Sequence, residues 1–186
     1  MAEPKLQVGR PSVRSVLSVH IGIGEIEFER IHTLNPGGGS MHIDSPGLGA
    51  LEVDTNKLIE FPWGIPGFES CKRFLFAEIG PAAHPFALFQ GVDDPEAVFS
   101  VTSPESMGLH YEFELSEEEQ ALLAVESSDD IAVMLILRRV ESSGDGDSKP
   151  PVQANLMAPL VINVTARKGL QKVIARLGCE VTLKPA

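Results

Sequence analysis

Carboxylates are the one chemically capable residue type that this chain gathers in number, with Asp93 beside Asp94 and Glu117, Glu118 and Glu119 in an unbroken run. Glycosidase-type acid–base chemistry needs two carboxyls facing one pocket from different environments, which adjacency in sequence does not supply. The histidines at positions 20, 32, 42, 84 and 110 are scattered, with no helical or hairpin spacing that would bring two to one metal. Cys71 and Cys179 stand singly, with no CxxC pair, so a zinc site or disulfide framework lacks support and two reduced, partly buried thiols are expected. No GxSxG, P-loop or GxGxxG occurs, and Gly37 to Gly39 follow Pro36 and read as a linker rather than a phosphate cradle. Neither catalysis nor a cofactor is expected.

The acids are better suited to binding. The net charge is -11, and from Phe74 to Leu137 there is no lysine or arginine among 64 residues that hold thirteen acids. Basic residues return at Arg138 and Arg139 and again from Arg167 to Lys184. Such a field repels nucleic acid and attracts cationic protein surfaces; the plain alternative is a solvated face that keeps the chain soluble. Asp93, Asp94, Glu96, Glu117 and Glu118, at expected loops and a helix start, are the candidates for a basic partner. A barrel that grips single-stranded nucleic acid would need cations around its aromatics. Phe86, Phe89, Phe99, Tyr111 and Phe113 instead lie inside the acid-only stretch and are expected to be core.

The elements that must position these residues are mainly strands. Leu51 to Val53, Leu58 to Phe61, Phe74 to Phe76, Phe86 to Phe89, Val98 to Val101 and Leu109 to Phe113 are short, apolar and separated by Gly, Pro or Asp, the pattern of a barrel or sandwich. One helix interrupts them at about 116–125: Ser116 can cap, Glu119 completes a capping box, and Glu117 and Glu118 favour the positive end of the helix dipole. Ile131 to Val140 is apolar enough for burial on both faces, Glu141 to Pro151 reads as a solvated loop, and Leu160 to Val164 as a buried strand. Past Gly169, Leu170, Val173, Ile174 and Leu177 fit a helical face while the β-branched residues favour a strand, leaving the conformation of 169–186 open.

With 186 residues and 43% apolar side chains, the chain suits one domain, expected at 41–186. Residues 1–40 differ in character: Val19, Ile21, Ile23, Ile26 and Phe28 suggest a hairpin before the glycine link. The longest unbroken apolar run, Ile131 to Leu137, falls short of the roughly 20 residues of a membrane helix. Arg10 and Arg14 precede a stretch broken by Ser15, Ser18 and His20, with no clear cleavage site, so a cytoplasmic protein is expected.

Two phrases are more idiosyncratic than any of this: FPWGIPGFE from Phe61 to Glu69, and NLMAPLVIN from Asn155 to Asn163. Each reads as strand, proline-fixed turn and strand. Taken with LIEFPWGIPGFES, PFALFQGVDDPEAVFSVTSPE and NLMAPLVINVTARKGLQKVI, they give a chain that resembles the flagellar assembly factor FliW family over about Met41 to Ile174. The resemblance implies a small, mostly antiparallel β-barrel-like domain with one short helix, acting as a monomer without cofactor or catalysis. It also implies two protein partners: flagellin, and CsrA, a basic RNA-binding regulator that represses flagellin translation. On that view residues 1–40 are an added N-terminal extension or reflect an upstream start codon. Pro66, Gly67 and Phe68 shape a corner that also meets a partner, and Asn155, with Pro159 and Asn163, holds loops near another. A dedicated flagellin chaperone, with acidity serving solubility, is the rival reading. The terminal LGCEVTLKPA departs from the family pattern.

Overall fold

The structure is a computed structural model that describes residues 17–20, 39–46, 49–78, 86–110, 112–139 and 152–174. In chain order the strands are β1 (Leu17–His20), β2 (Ser40–Ser45), β3 (Gly49–Asp54), β4 (Ile59–Glu60), β5 (Arg73–Glu78), β6 (Ala87–Gly91), β7 (Val98–Thr102) and β8 (Glu112–Leu115). Helix α1 (Glu117–Leu123) follows, then β9 (Ile131–Arg139), β10 (Val152–Ala154), β11 (Leu160–Asn163) and β12 (Lys168–Gln171).

The main sheet holds 8 strands in the order β10-β9-β11-β12-β4-β5-β6-β7, and β7 pairs back onto β9, so every strand but β10 lies in a closed ring. Closure runs through Ser100, Val101 and Thr102 opposite Leu137, Ile136 and Leu135. All the pairings are antiparallel except β12 with β4, which meet in parallel at Lys168 and Glu60. β9 is long enough to serve both sides: its first half pairs with β11, and its second half with β7 and β10.

The period-2 alternation of a strand explains why these segments carry almost no polar positions. Along β9, Ala132 and Met134 point into the barrel with Phe61, Phe74, Phe89, Leu160 and Ile162. Ile131, Val133 and Leu135 point outward into a second core with Phe113, Leu115, Leu123, Val161 and Leu170, beneath β8 and α1. β5 repeats the arrangement, Phe74 inward, and Leu75 and Ala77 outward beneath Ile43 and Val53 of the β2–β3 hairpin. The ring is therefore covered outside by two layers, and its strands read as continuous apolar runs for that reason.

The hairpin is fastened by one buried polar network. Ser45 Oγ donates to Gln90 Oε1 at 2.6 Å, and Gln90 Nε2 donates to the carbonyls of Gly91 and Pro95 at 2.8 and 2.9 Å. Inside the barrel Phe74 and Phe89 stack at 4.8 Å, and Phe61 tilts against both at 5.2 and 5.4 Å. Phe61 lies over Gly169, where a Cβ would come within 2.3 Å of its ring.

Several sequence expectations shift by a few residues. The strand expected at Leu109 to Phe113 begins at Glu112, because Glu105–Met107 form a 3-10 turn that ends at Gly108 with φ 68°. α1 starts as expected, with Ser116 accepting from Glu119 N–H and the Glu119 carboxylate accepting from Ser116 N–H. It stops at Leu123 because Ala124 adopts the left-handed conformation. The ambiguity after Gly169 resolves as strand through Gln171, where β12 pairs with β11; beyond it Lys172 and Ile174 N–H donate to the Pro159 and Met157 carbonyls. Of the expected N-terminal hairpin only the start is described, and there Leu17–His20 pairs with β8. Its remainder, the loop from Glu141 to Pro151 and the residues after Ile174 lie outside the described residues.

Candidate functional site

The first candidate region is the corner between β4 and β5. Phe68 N–H donates to Ile65 O at 2.7 Å, with Pro66 and Gly67 at the two central positions and Gly67 at φ 87°, the geometry of a type II turn. Proline presets the first central residue and glycine the second, so IPGF is explained by the turn alone. Gly64, at φ 74°, has no room for a Cβ, which would meet the Glu69 backbone at 2.7 Å. Glu69 accepts from Gly67 N–H at 2.9 Å, and that backbone bond holds its carboxyl below the usual range. Pro66 and Gly67 are exposed, whereas Phe68 packs edge-on against Phe99 at 5.2 Å and helps seal the barrel.

The β6–β7 loop is fastened to this corner by Asp93. Its carboxylate accepts from Lys72 N–H and Arg73 N–H at 2.9 Å each and from Arg73 Nε at 2.8 Å, completing an ion pair with the guanidinium. Burial pulls the Asp93 carboxyl upward, but the Arg73 side chain and the two backbone donors outweigh it and hold the acid below its ordinary value. Asp94 is also engaged, its Oδ1 accepting from Glu96 N–H at 3.1 Å, while Glu96 is exposed.

A group whose folded pKa is depressed adds stability that is present above its unfolded pKa and lost as pH falls through the folded one. Asp93→Asn should therefore lower the melting temperature at pH 7, by a difference that narrows as pH falls below the ordinary carboxylate range. Thermal melts of both proteins across that range check this; a constant difference at all pH values would contradict it.

The second region is the continuous segment from β8 through α1. Glu112 and Glu114 occupy the exposed face of β8 while Phe113 and Leu115 are buried, and Glu117 and Glu118 are exposed on the first turn of α1. No described residue pairs with the carboxylates of Glu114, Glu117 or Glu118. Glu119 is different: it takes a partly buried ion pair from Lys172 Nζ, 2.8 Å from Oε1, which ties α1 to the end of β12. Asp130 likewise accepts from Thr165 Oγ1 at 2.7 Å.

The sequence candidates thus fall into two places. Asp93, Asp94, Glu96, Pro66, Gly67 and Phe68 belong to the corner and its fastened loop, and Glu117 and Glu118 to the β8–α1 segment. Asn155 is exposed at the start of the turn between β10 and β11, its N–H donating to Ile136 O at 2.8 Å. Asn163 does hold loops: buried, it donates to Ala124 O at 3.1 Å and accepts from Thr165 and Ala166 N–H at 3.0 and 2.8 Å. Gln90 and Lys172 were not singled out from the sequence, and only a partner from a distant segment reveals their roles.

A closed β-barrel with both faces of its strands covered, carrying exposed carboxylates on an outer strand and helix, defines a rigid module with an acid-faced outer layer. Comparison with known proteins places that module. The FliW protein family model matches residues 42–184. The Flagellar assembly factor FliW of Azoarcus sp. (strain BH72) is 47% identical over 148 residues, 77% of this chain and 98% of that protein. The FliW of Chromobacterium violaceum is 42% identical, over 71% of this chain and 92% of its own. A crystal structure of the flagellar assembly factor FliW superposes with a TM-score of 0.64 at 28% identity, covering 78% of this chain and 99% of that one. The chain belongs to the FliW family and is a flagellar assembly factor.

Proposed function

We propose that this protein is a non-enzymatic binding regulator that takes flagellin and CsrA as alternative protein partners in the cytoplasm and relieves the repression of flagellin mRNA by CsrA. The exposed carboxylates of Glu114, Glu117 and Glu118, which no described residue pairs, carry this reading. They stand in a stretch without a cation, and a basic RNA-binding surface is the natural complement to such a field. Once docked, the acidic module presents like charge to incoming phosphate, so RNA is driven off without its pocket being filled. Asp93 and Asp94 are engaged in holding the β6–β7 loop, which leaves Glu96 as the freer acid there. The exposed turn residues Pro66 and Gly67, with Phe68 beneath them, and the exposed Asn155 are proposed as further partner contacts.

Mixing the purified protein with CsrA and a labelled flagellin leader RNA tests the proposal. RNA should be released as the protein is added, and added flagellin should return it to CsrA. RNA that stays bound at saturating protein would leave the alternative, a flagellin chaperone whose acidity serves solubility.

A further inference from the structure

β8 combines a buried inner face with an edge that the barrel does not pair. Phe113 and Leu115 help close the second core, yet among the described residues the only strand partner of β8 is β1. The two run antiparallel, with Leu17, Ser18, Val19 and His20 opposite Leu115, Glu114, Phe113 and Glu112. β1 precedes the segment matched by the family model, which begins at residue 42. A packed strand with an open edge presents backbone N–H and C=O groups that template another extended segment. Such pairing tolerates varied sequence and is tuned by charge. The residues leading into β1 hold Lys5, Arg10 and Arg14 against a single acid, Glu3, and β1 lies against the acid-only stretch.

We propose that the outer edge of β8 is a strand-addition site that the chain's own Leu17–His20 segment occupies, making the N-terminal extension a displaceable strap beside the acids of β8 and α1. His20 and Ser40 are separated by 19 residues, a length of chain that could span up to roughly 60 Å, so no short connection forces β1 onto β8. A tethered occupant acts at an effective concentration on the order of millimolar, which a competing strand must overcome. One consequence rests on the function proposed above: the strap would slow the approach of the basic partner to Glu114, Glu117 and Glu118.

The test uses the full chain with Ser18→Pro and Val19→Pro combined, since one of those two N–H groups faces β8 in an antiparallel ladder and proline removes both. Hydrogen exchange at the 112–115 amides should quicken by about tenfold or more while the barrel amides keep their protection. A synthetic peptide of residues 14–21, added to the double variant, should restore the lost protection. Unchanged exchange at 112–115 overturns the proposal, and so does a peptide that restores nothing. The double variant should also associate with CsrA several-fold faster than the parent. Equal rates would overturn the gating of the partner; if neither protein binds CsrA, the proposed function fails, while the exchange result still decides the strap.

Discussion

Truncating Phe61 to alanine should destabilise the barrel by about 3–5 kcal/mol, the usual range for a large aromatic removed from a closed core. Phe61 is fully buried and touches both Phe74 and Phe89, so its loss empties the point where β4, β5, β6 and β12 converge. The opposite error should also be costly. Gly169→Ala places a Cβ within 2.3 Å of the Phe61 ring, and overpacking of that kind costs about 1–3 kcal/mol. The two positions are coupled through one contact, so Gly169→Ala combined with Phe61→Leu should be less damaging than the sum of the single changes. Urea unfolding of the four proteins gives the cycle; strict additivity would mean that the ring and the glycine do not share that space.

On the function proposed above, reversing charge at Glu117 and Glu118 together should slow association with CsrA by about tenfold at low ionic strength and change it little at high salt. Both side chains are exposed on the first turn of α1, and the capping box uses Ser116 and Glu119, so the substitutions keep the cap while removing favourable charge from the positive end of the helix dipole. Steering charges act chiefly on the encounter rate, so dissociation should move less. Stopped-flow association at several salt concentrations separates the two effects. Equal on-rates at low salt would remove these residues from the interface.

Much of the fold was legible in the sequence because its signals are local. The unbroken apolar run of β9, the capping box at Ser116 and the proline–glycine corner at Pro66 each depend on neighbours within a few residues. The course past Gly169 was not, because Leu170, Val173 and Ile174 satisfy both periods, and only the pairing of β12 with β11 and the bonds of Lys172 and Ile174 to Pro159 and Met157 decide between them. The surface was legible as composition but not as geometry. Nothing within the acid-only stretch says that Asp93 takes Arg73 or that Glu119 takes Lys172, since both cations lie outside it. Asp129 illustrates the same limit on a smaller scale: the strand that follows it was plain, but not that Ser127 would accept its N–H at 3.2 Å and start a 3-10 turn.

The closure of the ring between β7 and β9 has a consequence for how the polypeptide is made. As the chain leaves the ribosome, β4 to β7 can assemble as a meander, but the second edge of its last strand has no partner until Val101 meets Ile136. Until β9, β11 and β12 emerge, a phenylalanine-rich nascent sheet stands with unprotected borders, the condition that invites misassociation. Slow or interrupted translation across residues 103–131 is where this protein is most exposed to aggregation or to capture by a chaperone.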